Sequence, residues 1–209
     1  IVHTERDRLA TAQAHLELAL QTFRETQNLS WEGDALAALG RLALLQGEPA
    51  AAEYLSAARQ RNEESGEVGY AVTDLSYLAR ARLATGDEKE AWKCSCEAME
   101  TLEAGLQGVE HPQRIYYNHF LVAQETRHWA DARSALERAS AMVDEHAARI
   151  DDPSLREKYL SGLRVNRAIA EAVGQLPPPG SLRVWLPHVE AQPHRRPTPD
   201  ETVQVVWTV

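Results

Sequence analysis

The feature that most constrains this 209-residue chain is a repeat about forty residues long. Ala12, Leu16 and Ala19 recur as Ala51, Leu55 and Ala58. They recur again as Ala91, Ser95 and Ala98, and as Ala132, Leu136 and Ala139, with leading alanines 39, 40 and 41 residues apart. A four-then-three spacing puts all three side chains on one helical face. Small residues at two of the three positions let a neighbouring helix come close, so the pattern predicts a packing seam. Ahead of each later seam lies a second amphipathic stretch and a break. Leu36, Leu39, Gly40 and Ala43 lead to Gln46-Gly47-Glu48-Pro49, and Leu75, Leu78, Ala79 and Leu83 lead to Thr85-Gly86-Asp87. Tyr116, Tyr117, Phe120 and Leu121 lead to Thr126-Arg127-His128-Trp129. Glycine just past a helix suits the left-handed position there, and an acid after it suits the next N-terminus. Each unit therefore reads as a helical hairpin, helix A then helix B, that must stack on its neighbours to bury its stripes.

The spacing predicts helices over 5–27, 30–46, 48–64, 67–85, 87–104, 111–126, 129–149 and 153–174, the first being a B helix without its A partner. Asp152 as N-cap and Pro153 at the first position mark the last one. Its stripe of Leu155, Tyr159, Leu163, Ile169 and Val173 is expected to cover the end of the stack. After Gly174 the composition turns to Pro177-Pro178-Pro179-Gly180, and period-two runs follow at Leu182–Leu186 and Thr202–Val209. The expected fold is all-α: a right-handed superhelical array of antiparallel hairpins over 1–175, with a Pro-rich linker and a small two-strand β extension over 176–209. The half repeat at the front, and a first residue that is not Met, lead us to expect a piece of a longer array.

These units resemble the tetratricopeptide repeat. Aligning Gly86 with the family's turn glycine puts Leu75, Leu78, Ala79, Ala91 and Ala98 on its hallmark positions, and Gly40 and Gly47 fill the small-residue and turn positions one unit earlier. The period is nearer 40 than the family's 34, the hallmark aromatic residues of helix A are mostly missing, and Arg127 stands at a turn glycine. Such longer, divergent repeats resemble those in large bacterial NTPase-type transcription regulators, and the tail resembles the segment preceding a helix-turn-helix in some of them. The resemblance implies a cytoplasmic recognition module that binds a protein or peptide, or an acidic small ligand, in a groove lined by A helices. The groove positions it implies are Asp34, Ala37, Arg41 and Leu44; Thr73, Ser76, Arg80 and Leu83; and Arg114, Tyr117, Leu121 and Gln124. Arg41, Arg80 and Arg114 would form a ladder of planar bidentate donors suited to carboxylates, or would simply pair with neighbouring Asp and Glu. Tyr117 is either core packing or ligand-facing. The chaperone-tail clamp of this family needs groove lysines, and Lys89, Lys93 and Lys158 are not on A helices.

Composition and motifs remove other classes. The formal charge of −9 belongs to residues 1–110, which hold 10 basic and 19 acidic side chains, against 12 of each in 111–209. An acidic array repels phosphate backbones, so no direct nucleic-acid contact is expected. No apolar run is long enough for a membrane span. Cys94 and Cys96 are two apart on a helix, so they point in divergent directions and read as structural. The eight His make no zinc pattern, there is no phosphate loop or nucleophile elbow, and no cofactor or catalytic constellation is expected. Asp151-Asp152 reads as a helix cap rather than a carboxylate pair. The alternative to a sensor or scaffold is a self-association platform, in which array and tail strands pair copies of the chain.

Overall fold

The computed structural model describes residues 2–176, with side chains from Arg8 onward. Among them the chain is all-helical: α1 (Val2–Glu25), α2 (Leu29–Gln46), α3 (Ala51–Glu64), α4 (Val68–Ala84), α5 (Glu88–Glu103), α6 (Pro112–Glu125), α7 (Trp129–Ala148), α8 (Pro153–Glu157) and α9 (Arg164–Gln175). The expected strands at 182–186 and 202–209 lie outside the described residues. No helix among those described is long and apolar enough to cross a membrane.

Short turns force consecutive helices to fold back on one another. The turns after α1, α2, α3, α4 and α6 pass through one left-handed residue each, Gln27, Gly47, Gly66, Gly86 and Arg127, with φ between 53° and 83°. In each, the next N–H reaches back five residues to a helix carbonyl, as in Glu48 N to Ala43 O (2.9 Å), Asp87 N to Arg82 O (3.0 Å) and His128 N to Ala123 O (2.7 Å). This bond pair closes a helix C-terminus whatever residue occupies the left-handed site. Arg127 therefore makes the same turn as the glycines, against the cost of a Cβ in that conformation.

Three of the four seams are buried. Ala51, Leu55 and Ala58, then Ala91, Ser95 and Ala98, then Ala132, Leu136 and Ala139 are all 0–3% exposed. Gly40 shows how close the helices come, since a Cβ there would lie 2.6 Å from Leu55 Cγ. The first seam differs from expectation: Ala12 is exposed and Leu16 and Ala19 are half-buried. The physical reason is that α1 has α2 as its main neighbour among the described residues and touches α3 only at the margin. Its buried contribution is Leu20, set against Leu36, Leu39 and Ala58.

The single helix expected over 153–174 is a second correction. Asp152 does cap α8, its Oδ1 accepting from the Ser154 and Leu155 N–H groups (2.7 and 3.1 Å). After Glu157 the chain enters a π-helical turn (Lys158–Gly162) and then Leu163, which is extended at ψ 122°. The break changes the facing of everything after it. Leu163 and Val173 are therefore exposed, Leu155 on the short α8 is exposed as well, and of the expected stripe only Ile169 is fully buried. Asn166, buried at the start of α9, donates to the Tyr159 carbonyl (2.8 Å) that the broken helix leaves free. The guanidinium of Arg156 closes the end of α7 with two bonds to the Ile150 carbonyl.

Candidate recognition face

The A helices α2, α4 and α6 touch one another in sequence, whereas the B helices α3, α5 and α7 make no comparable contacts among themselves. The two sides are also linked differently. On the B side, charged side chains reach across the gaps: Arg59 on α3 to Glu97 on α5 (2.8 Å) and Arg138 on α7 to Glu103 on α5 (3.7 Å). Arg24 on α1 and Arg61 on α3 converge on Glu32 of α2, at 3.1 and 3.4 Å.

On the A side the links are buried. Asn118 of α6 is 2% exposed and joins two groups of α4. Its Nδ2 donates to Ser76 Oγ (2.9 Å) and its Oδ1 accepts from Arg80 Nη1 (3.2 Å). One unit earlier, Asn62 Nδ2 of the B helix α3 donates to Asp74 Oδ2 of α4 (2.8 Å), and from the A helix α2 Arg41 Nη1 lies 3.9 Å from Asp74 Oδ1. Burial pushes the Asp74 carboxyl up to about 7, against the bond from Asn62 and the charge of Arg41. Near neutrality it is only part ionised. Tyr77 stands between the two links, with the guanidinium carbons of Arg41 and Arg80 5.8 and 5.9 Å from its ring centroid.

Five of the sequence-selected residues, Asp34, Ala37, Arg41, Thr73 and Arg114, line one pocket of about 130 Å³, joined by Asn62, Tyr70, Asp74, Glu110 and His111. Tyr70 Oη donates to Glu110 Oε1 (3.0 Å) at its rim. Burial, with Glu67 and Glu110 adding to it, holds the Asp34 carboxyl above its ordinary value despite Arg41. Burial lowers His111, as does neighbouring Arg114. Ser76 belongs to the packing, 2% exposed and donating to the Thr73 carbonyl (2.6 Å). Tyr117 is half-buried against Phe120 (5.7 Å), and Gln124 is half-buried farther along α6. Neither residue lines the pocket.

The three arginines have different fates. Arg41 is held at Asp74, and Arg114 has no carboxylate within ion-pair distance among the described residues. Among the described residues Arg80 bonds only the neutral amide of Asn118. Burial lowers its pKa, and Arg164 at the start of α9 adds to that effect. A largely desolvated guanidinium without a counter-charge is costly unless something supplies one. The sequence reasoning missed Asn62, Asp74 and Asn118. The usable signal was a polar residue at stripe spacing: Asp74 precedes Leu78 by four, and Asn118 precedes Val122 by four.

Among the described residues no group of three or more His, Cys, Asp or Glu is placed to hold a metal. No family model, curated protein or solved structure matches the chain.

Proposed function

We propose that the array is a recognition module, and that the face built by α2, α4 and α6 takes an acidic peptide segment or a carboxylate-bearing small ligand. In this reading the helices form a right-handed superhelix of tetratricopeptide type with the A helices on its concave side. The close A–A contacts and the splayed B helices support that curvature. The setting is a bacterial signalling or transcription regulator, in line with the long, divergent repeats. A ligand on this face would influence neighbouring modules if it bound two arrangements of the stack with different affinity.

The observation that carries the proposal is Arg80, a mostly desolvated guanidinium whose one bond among the described residues is to a neutral amide. Arg114, without an ion-pair partner among the described residues, offers a second donor set in the adjacent pocket. Arg41 is a poor target for mutation, because a carboxylate in its place would face Asp74. The test is fluorescence polarisation with a labelled Glu-Ala repeat octapeptide. Arg80→Gln with Arg114→Gln keeps a donor near Asn118 and is expected to weaken binding about tenfold or more, with an unchanged circular-dichroism melt. Equal binding by the wild type and the double variant would remove the arginine-face assignment.

A further inference from the structure

A different chemistry is laid out between the B helices α5 and α7, where a cleft of about 250 Å³ opens above α6. Its size is below the ~300–1,000 Å³ of sites for drug-sized ligands, so it suits one side chain or a linear molecule. Trp92, Met99 and Ala135 give it an apolar wall, and Glu100, Glu103 and Asp131 line it with carboxylates. The one guanidinium present, Arg138, is already engaged, 3.7 Å from Glu103 and over the Tyr116 ring at 5.3 Å. Glu100 and Asp131 have no cation within ion-pair distance among the described residues.

The floor adds a further polar group to these carboxylates. His119 is 7% exposed and lines the cleft. Its Nδ1 is bonded to Ser95 Oγ (2.8 Å), and its Nε2 has no hydrogen-bond partner among the described residues. Burial, which favours the neutral form, holds this imidazole below its ordinary value against the pull of Asp131. With the proton on Nδ1, Nε2 presents a lone pair to whatever enters. The Cys96 thiol reports the sign of the field: burial pushes it up, and Glu100 and Asp131 push it further.

We propose that this cleft binds an alkyl cation, a guanidinium or ammonium group on an apolar stem, with the stem along Trp92 and Met99 and the head between Glu100 and Asp131. The same chemistry is carried by an arginine or lysine side chain of a partner and by a free polyamine. The site is independent of the arginine face.

The test follows the Trp92 indole N–H resonance of ¹⁵N-labelled protein during titration with N-acetyl-arginine amide and, separately, with spermidine. Trp92→Phe assigns the resonance. A saturable shift is expected in the millimolar range, with the Trp31 and Trp129 indoles unmoved as a check on the fold. Glu100→Gln with Asp131→Asn is expected to raise the midpoint about tenfold, and salt is expected to weaken binding by screening. Saturation by the arginine amide alone assigns the site to a side chain, and by spermidine alone to a polyamine; each supports a cation site. A Trp92 resonance indifferent to both probes, or an unchanged midpoint in the double variant, overturns it.

Discussion

The A side and the B side of this array solve one problem, holding one repeat to the next, with opposite materials. Between α4 and α6 the link is Asn118, buried and bonded to Ser76 and Arg80. Between α3 and α5 it is Arg59 and Glu97, a close ion pair whose side chains stay partly in water. Buried hydrogen bonds in a low dielectric gain little net energy when made but are costly to leave half-made. Exposed ion pairs gain little and lose little. The A side should therefore fix the geometry of stacking, while the B side tolerates the gaps in which clefts form.

Five mutations can break or sharpen that contrast. The largest effect is expected from Asn118→Leu, which removes the bonds that Ser76 and Arg80 make across the interface. It should cost ~2–4 kcal/mol by urea denaturation; a loss under half a kilocalorie would show that the A side is not held by this link.

Asp74→Asn comes next, through pH. The folded carboxyl is raised to about 7, above its unfolded value, so the folded state keeps a proton that the unfolded chain releases. Its carboxyl thus favours folding most at low pH, and wild-type stability should fall as pH rises from about 4 to about 7. The variant can keep the bond to Asn62 without the charge. It should flatten that slope and gain roughly 1–4 kcal/mol on the wild type at pH 8. Parallel stability profiles for the two proteins from pH 4 to 8 would contradict the assignment.

Overpacking a seam gives a third comparison. Ala132→Leu should cost ~1–3 kcal/mol, since Ala132 is 3% exposed. Ala12→Leu on α1 should stay within about half a kilocalorie, since that side chain is exposed. Equal losses would mean that α1 has a packing partner at Ala12. Among the links between repeats the smallest effect is expected on the B side, where Arg59→Gln should cost ~0.2–1 kcal/mol and less still in 1 M salt. A larger, salt-insensitive loss would erase the contrast between the two sides.

How much of this was legible follows from range. Seam spacing and turn chemistry are local, so α2 through α7 fall within three residues of their expected ends, and Asp152 is the cap it was expected to be. The break at Leu163 was missed although Ser161-Gly162 marks a place where helices bend. Continuing a stripe of five apolar residues looked stronger than one weak pair. Placement on a shared face was partly legible too: Asp34, Arg41, Thr73 and Arg114 meet in one pocket, but Ser76 turned inward. Which arginine finds a carboxylate depends on groups some forty residues away. Asn118 reaches Arg80 across 38 positions, and no helical periodicity encodes that.

Tyr77 has a consequence for motion. Its ring belongs to α4, but one of the two guanidinium groups over it comes from α2 and the other from α4 itself. Sliding of one hairpin past the next would change one of these contacts and leave the other in place. The rate at which the ring flips, and the ring-current shifts it imposes on Arg41, would then act as a built-in gauge of the spacing between adjacent repeats.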